Sequence, residues 1–137
     1  MKNTVSVKKC KNHRIFTAVF SVCMMGIMAF FTAFIGIEGI IPSIPLLLIL
    51  LPMNLYYFTW RIDLEPNAIV HRLFFREVKR YTYSELQDVI RRYSLAEYDI
   101  CIIMIFKDGK MLSFCGKDEG FDRAVRTLKH HHSITSK

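Results

Sequence analysis

Apolar positions divide the chain into two regions of different pattern. From Ile15 to Ile37 the segment IFTAVFSVCMMGIMAFFTAFIGI runs 23 positions without an ionisable side chain. As a helix rising 1.5 Å per residue it reaches roughly 34 Å, enough for a hydrocarbon core of about 30 Å. A second uncharged stretch, Ile40 to Trp60, contains PLLLILLPMNLYYFTW and predicts a second span. Beyond Trp60 the pattern changes to short apolar and aromatic runs broken by turn residues. WRIDL, AIVHRLFF, EVKRYTY, VIRRYSL, YDICIIMIF and KMLSFCG read as six strands. Glu65-Pro66-Asn67-Ala68 makes a turn with Pro at its second position, whereas the break near Phe75 and Arg76 carries little turn chemistry. Ser84 to Gln87 fits a capping box and predicts about one turn of helix. Asp108-Gly109 predicts a two-residue hairpin, since Asp-Gly tolerates the positive φ of a type I′ turn. The last element is helical: Asp118 is a candidate N-cap, and Phe121, Ala124, Val125 and Leu128 recur at helical spacing.

The expected fold class is therefore α+β with a membrane segment. A two-helix transmembrane hairpin (spans 15–37 and 40–60) precedes a small antiparallel sheet or partly open barrel, residues 61–132, closed by a C-terminal helix. Residues 1–14 read as a basic tail and 133–137 as a polar tail. A cleaved signal peptide has a shorter apolar region and a small-residue cleavage site. A lipoprotein site at Cys23 would want Gly or Ala where Val22 stands, and a core helix of this length outsizes a domain of 77 residues.

Charge adds orientation to this picture. The chain of 137 residues carries a formal net charge of +7. Residues 1–14 hold Lys2, Lys8, Lys9, Lys11 and Arg14 with no acid, the segment between the spans holds only Glu38, and from Arg61 onward 14 basic residues face 11 acidic ones. Basic flanks are retained in the cytoplasm, so both termini are expected there, in a multi-pass protein of the cell membrane. Lys8, Lys9, Lys11, Arg14 and Arg61 are the candidates for contact with anionic lipid. Neither span contains an ionisable residue of the kind that relays and ion pathways need at depth, so the hairpin reads as an anchor. Within it, Ala29 with Ala33 and Thr32 with Gly36 space small residues along one face. Pro52 removes a backbone donor and is expected to kink the second helix. Asn54 either bonds across to the first helix or sits near the interface, the reading favoured here.

The strand and turn RIDLEPNAIVHR, the segment YTYSELQDVIRR, the hairpin CIIMIFKDGKMLSF and the helix GFDRAVRTLKH together resemble the bacterial pleckstrin-homology-like (PH-like) domains of small two-transmembrane-helix proteins. That resemblance implies a partly open β barrel with a C-terminal helix and a binding or assembly role without catalysis. Eukaryotic relatives bind phosphoinositides through basic residues of the first hairpin; the turn here, EPNA, has none, so inositide binding is not carried over.

Other chemistry is thin. With Asp108-Gly109 as a two-residue turn, Ile102 faces Cys115 and Cys101 points to the opposite side of the sheet, so these thiols are expected to stay apart and free, as are Cys10 and Cys23. His130, His131 and His132 fan outward on a helix and lack the spacing of metal ligands. Basic residues Arg72, Arg76, Lys79, Arg80, Arg91 and Arg92 are interleaved with acids, and no nucleic acid partner is expected. No cofactor, metal or catalytic motif is expected. Both faces of the YDICIIMIF hairpin are apolar where a solvated sheet would alternate. Ile102, Met104, Phe106 and Met111 are therefore expected to form an assembly face. The expected function is a non-enzymatic, membrane-anchored binding or scaffold module, as a homo-oligomer or with a membrane protein partner. The alternative is a small immunity or envelope-stress protein that protects against a membrane-active toxin.

Overall fold

A computed structural model describes residues 4–39, 41 and 43–136. The chain forms two compact units, one from Lys11–Thr59 and one from the residues up to Cys10 together with those from Trp60 onward.

The helical unit contains α1 (Lys11–Ile35), a one-turn 3-10 helix (Gly36–Gly39) and α2 (Ser43–Thr59). The helices run antiparallel, as contacts of His13 with Tyr57 and of Ser21 with Asn54 require. α1, 25 residues long, is the one helix among the described residues long and apolar enough to cross a membrane. At 17 residues α2 reaches about 26 Å, short of the hydrocarbon thickness. In place of the predicted pair of full-length spans there is one helix of spanning length and a shorter apolar helix that contains Pro52. The expected start of the second span, at Ile40 and Pro42, lies outside the described residues. Asn54 takes the other of its two readings: its Nδ2 donates to Ser21 Oγ at 2.5 Å and to Leu50 O at 2.9 Å, tying α2 to α1.

The second unit holds two sheets and a helix. The first sheet has order β1 (Val5–Lys8), β2 (Arg61–Leu64), β3 (Ala68–Leu73), β4 (Arg76–Thr82), antiparallel throughout. The second has order β7 (Met111–Cys115), β6 (Asp99–Phe106), β5 (Leu86–Ser94), β8 (Ile134–Ser136), with β8 parallel to β5. α3 (Phe121–His131) connects β7 to β8. Each of the two predicted tails therefore contributes a strand. Val5 to Lys8 pair with Leu64 to Arg61, and Ile134 to Ser136 pair with Val89 to Arg91. The alternation Val5-Ser6-Val7-Lys8 is the period-2 pattern of a strand, and Val7 enters the core with no exposed surface.

One core joins both sheets and α3, built from Val7, Trp60, Ile62, Leu64, Ile69 and Tyr81 of the first sheet side and Leu86, Val89, Ile102, Met104, Phe106 and Phe114 of the second. Ala124 and Leu128, four residues apart on α3, close it. Tyr81 stacks on Phe106 with ring centroids 3.7 Å apart. Each large apolar side chain fully buried here contributes about 1.5–3 kcal/mol.

Two turns depart from expectation. The β6–β7 loop has three residues, Lys107 to Gly109, closed by Phe106 N donating to Lys110 O at 2.9 Å and by Gly109 at φ +78°. A three-residue loop with glycine in the left-handed region moves the register by one from the two-residue prediction, and a one-residue slip exchanges every side chain between faces. Ile102 thus faces Phe114 and Cys101 faces Cys115. The slip divides the expected assembly face: Met111 moves to the other face, 65% exposed, while Ile102, Met104 and Phe106 are fully buried on the face that enters the core. The β3–β4 turn is Phe74-Phe75, with φ +50° and +62°. Non-glycine residues in that region cost about 1–2 kcal/mol each. Elsewhere, the predicted capping box shifts two residues upstream, to Thr82 and Glu85 around the 3-10 turn Tyr83–Glu85. α3 starts behind Gly120 instead of Asp118.

Candidate functional site

The sheet end at which the chain leaves at Cys10 and returns at Trp60 carries a cluster of cations. The register sets Lys8 opposite Arg61 and Arg61 opposite Arg72, three cations in a row across three strands. Like charges placed directly opposite one another disfavour the sheet. Asp63, buried beneath them, offsets part of this. One carboxylate oxygen accepts from Arg72 Nε at 3.0 Å and lies 3.2 Å from Arg61 Nε, while the other accepts from the Ser6 hydroxyl. Arg72 also approaches Glu77 at 4.0 Å. Lys8 and Arg76 are exposed, and neither makes an ion pair among the described residues. The row keeps a positive surplus toward solvent.

Beside it, Lys9 Nζ sits 4.4 Å from the centroid of the Trp60 ring, a cation–π contact, and 3.7 Å from Asp118. Asp118, predicted as a helix cap, instead accepts the backbone N–H groups of Cys10 at 3.1 Å and Cys115 at 3.0 Å, pinning the exit of β1 to the end of β7. Of the five predicted lipid-contact residues, the structure therefore brings together Lys8, Lys9 and Arg61. Lys11 and Arg14 begin α1 in the other unit. His71, one residue short of the cation row, packs edge-on to Trp60 with centroids 6.2 Å apart, and burial lowers its pKa, leaving a neutral ring at pH 7.

The remaining candidates resolve into structural roles. Cys101 and Cys115 form a disulfide across β6 and β7, the reverse of the predicted separation. Their pair lies between the hydrogen-bonded pairs Ile100–Gly116 and Ile102–Phe114, the closer-spaced position of an antiparallel ladder. Cys10 and Cys23 remain free. His131 stacks on Tyr83, centroids 3.8 Å apart, and His132 Nδ1 meets Ser133 O at 2.9 Å. No group of His, Cys, Asp and Glu among the described residues could hold a metal ion. Tyr83 donates to Glu65 O at 2.9 Å, and burial, with the Glu65 charge adding to it, pushes its pKa up to about 12.

The chain matches no protein-family model, no curated protein and no solved structure. Site assignment therefore rests on geometry alone. The weakly marked break expected near Phe75 and Arg76 is present as the Phe74-Phe75 turn; what sequence reasoning missed is its place beside the cation row, which only the strand register shows.

Proposed function

We propose that the protein is a membrane-anchored, non-catalytic binding or scaffold module, whose sheet-and-helix domain is held at the cytoplasmic surface by α1 and α2. The observation that carries this reading is the pairing of β1 with β2 on either side of the helical insert. Residues 5–8 and 61–64 share one sheet, so both ends of Lys11–Thr59 must lie on the same side of any bilayer. A single crossing by α1 is incompatible with that pairing; the insert crosses twice or enters and returns.

Three further facts support a lipid setting. Large apolar side chains along α1 and α2, among them Phe16, Phe30, Phe34, Leu48 and Ile49, are exposed, where a soluble core helix would bury them. The polar Asn54 bonds to Ser21, as polar groups inside a bilayer must find partners. Removal of α1 as a signal sequence would also discard β1, whose Val7 is a core residue. The α2 helix needs only local thinning or its flanking aromatics at the interface to serve as the return leg.

Orientation follows from charge: the basic residues up to Arg14 and the cation row at Lys8, Arg61 and Arg72 favour the cytoplasmic leaflet, each worth about 1 kcal/mol near an anionic surface. The PH-like resemblance is supported by the division into a four-stranded sheet and the β5–β7 meander followed by α3. Scaffold rather than enzyme is supported by the roles found for the polar groups, which hold turns and strands together.

Carbonate extraction of membranes and tag accessibility at both termini test this reading. The protein should stay in the pellet, with both tags reached only after the membrane is opened. Recovery in the supernatant, or tags on opposite sides, would overturn it. The Cys101–Cys115 disulfide weighs against the cytoplasmic side, where thiols are kept reduced, and alkylation in intact cells decides between the two sides: labelling as a dithiol keeps the domain inside, whereas a closed bond in living cells would place it outside.

A further inference from the structure

We propose that the Phe74-Phe75 turn is a second membrane contact, inserting its aromatic tip among anionic headgroups. The proposal rests on the anchoring read above and adds a part of the domain that touches lipid directly. Phe75 is 83% exposed, the most exposed large apolar side chain among the described residues, and Val78 beside it on the edge strand β4 is 56% exposed. Both turn residues have positive φ, a conformation that Asn-Gly supplies without strain. A two-residue turn built from phenylalanine gives up stability that a polar sequence would keep. Phe75 itself gains the domain little in water, because it buries almost no surface.

Register decides what the tip faces. Arg61 pairs with Arg72, so the chain runs on through Leu73 to Phe74, two residues or about 7 Å past the level at which it enters β2. It does so toward the end of the sheet where Trp60 and Cys10 connect to the helices. The tip therefore projects from the edge of the domain that a tethering bilayer must approach. Its collar is cationic: Arg72 and Arg76 flank the two rings in sequence, and Lys8 and Arg61 extend the row across the neighbouring strands. Asp63 and Glu77 offset Arg61 and Arg72, yet apolar rings beside a cationic row match a phospholipid interface, with rings at the glycerol level and cations on phosphate. A protein partner would be expected to meet a flatter patch with fewer cations at its centre.

The test uses full-length Phe75→Trp protein reconstituted in phosphatidylcholine/phosphatidylglycerol vesicles, with the unsubstituted protein as reference for the buried Trp60. Lipids brominated high on the acyl chain should quench the added fluorescence, its emission should shift to the blue, and Arg76→Glu in the same background should weaken both effects severalfold. An emission that acrylamide quenches freely and brominated lipid does not would overturn the proposal. Shielding from both quenchers would overturn it too, since protein then covers the tip. Vesicle flotation of the same samples separates the two readings. Protein that fails to float refutes the anchor, and floating protein whose added tryptophan escapes the brominated lipid refutes only the inserted tip.

Discussion

Gly120 offers the sharpest test of the domain's construction. It stands at φ +89°, and a Cβ there would collide with the backbone carbonyl of Ser6 in β1. Its neighbour Glu119 exchanges two backbone hydrogen bonds with Lys8, at 2.9 and 3.1 Å. Gly109 provides the comparison: it has φ +78° but nothing within 4 Å of a built Cβ. Gly109→Ala should therefore cost only the left-handed conformation, about 1–2 kcal/mol. Gly120→Ala carries the same cost and must also push β1 away, loosening two hydrogen bonds worth about 1 kcal/mol each. The total is about 3–4 kcal/mol, a large share of the stability of a small domain. Urea unfolding of the full-length protein in detergent, followed by Trp60 fluorescence, reads the difference. Trp60 is the only tryptophan and lies in the core of this unit. A gap of about 2 kcal/mol between the variants corresponds to about 1–2 M in urea midpoint. Equal midpoints would mean that β1 does not lie against the start of α3, and the argument for paired helix ends would lose its support.

Met104→Glu should unfold the domain, because it buries a carboxylate in a site with no exposed surface, whereas Met111→Glu should leave the stability from urea unfolding within about 0.5 kcal/mol of the parent; equal effects at the two positions would restore the predicted register, which sets both on one face. Reducing Cys101–Cys115 frees the loop it closes in the unfolded chain and should lower stability by about 3 kcal/mol on the chain-entropy account, with no change for a Cys101→Ala, Cys115→Ala variant treated alike. Tyr83 titrates near pH 10 when unfolded and near 12 in the fold, so the unfolded state releases its proton first as pH rises. Its contribution is complete below about pH 10 and is lost toward pH 12. Tyr83→Phe should flatten that arm of a stability–pH profile, and an unchanged slope would refute the assignment.

The sequence alone determined the features that depend on neighbours along the chain. Twenty-three uncharged positions give a helix that lipid accepts, as α1 is built; period-2 runs give strands, and Ala124 with Leu128 give a one-sided helix. These follow from hydrophobic spacing and backbone geometry, which are local. Tertiary structure decided what depends on pairing between distant segments. Four residues ahead of α1 look like part of a basic tail until Leu64 to Arg61 supply the other half of their hydrogen bonds. The hairpin register turned on whether the loop holds two residues or three, and that single residue parted Met111 from Met104 and joined Cys101 to Cys115. The lipid-contact candidates divided for the same reason. Lys8 and Arg61 are 53 positions apart in sequence yet face each other across two strands, while Lys11, three positions from Lys8, begins a helix of another unit. Local pattern sets which way a segment can fold; only long-range hydrogen bonding decides which residues become neighbours.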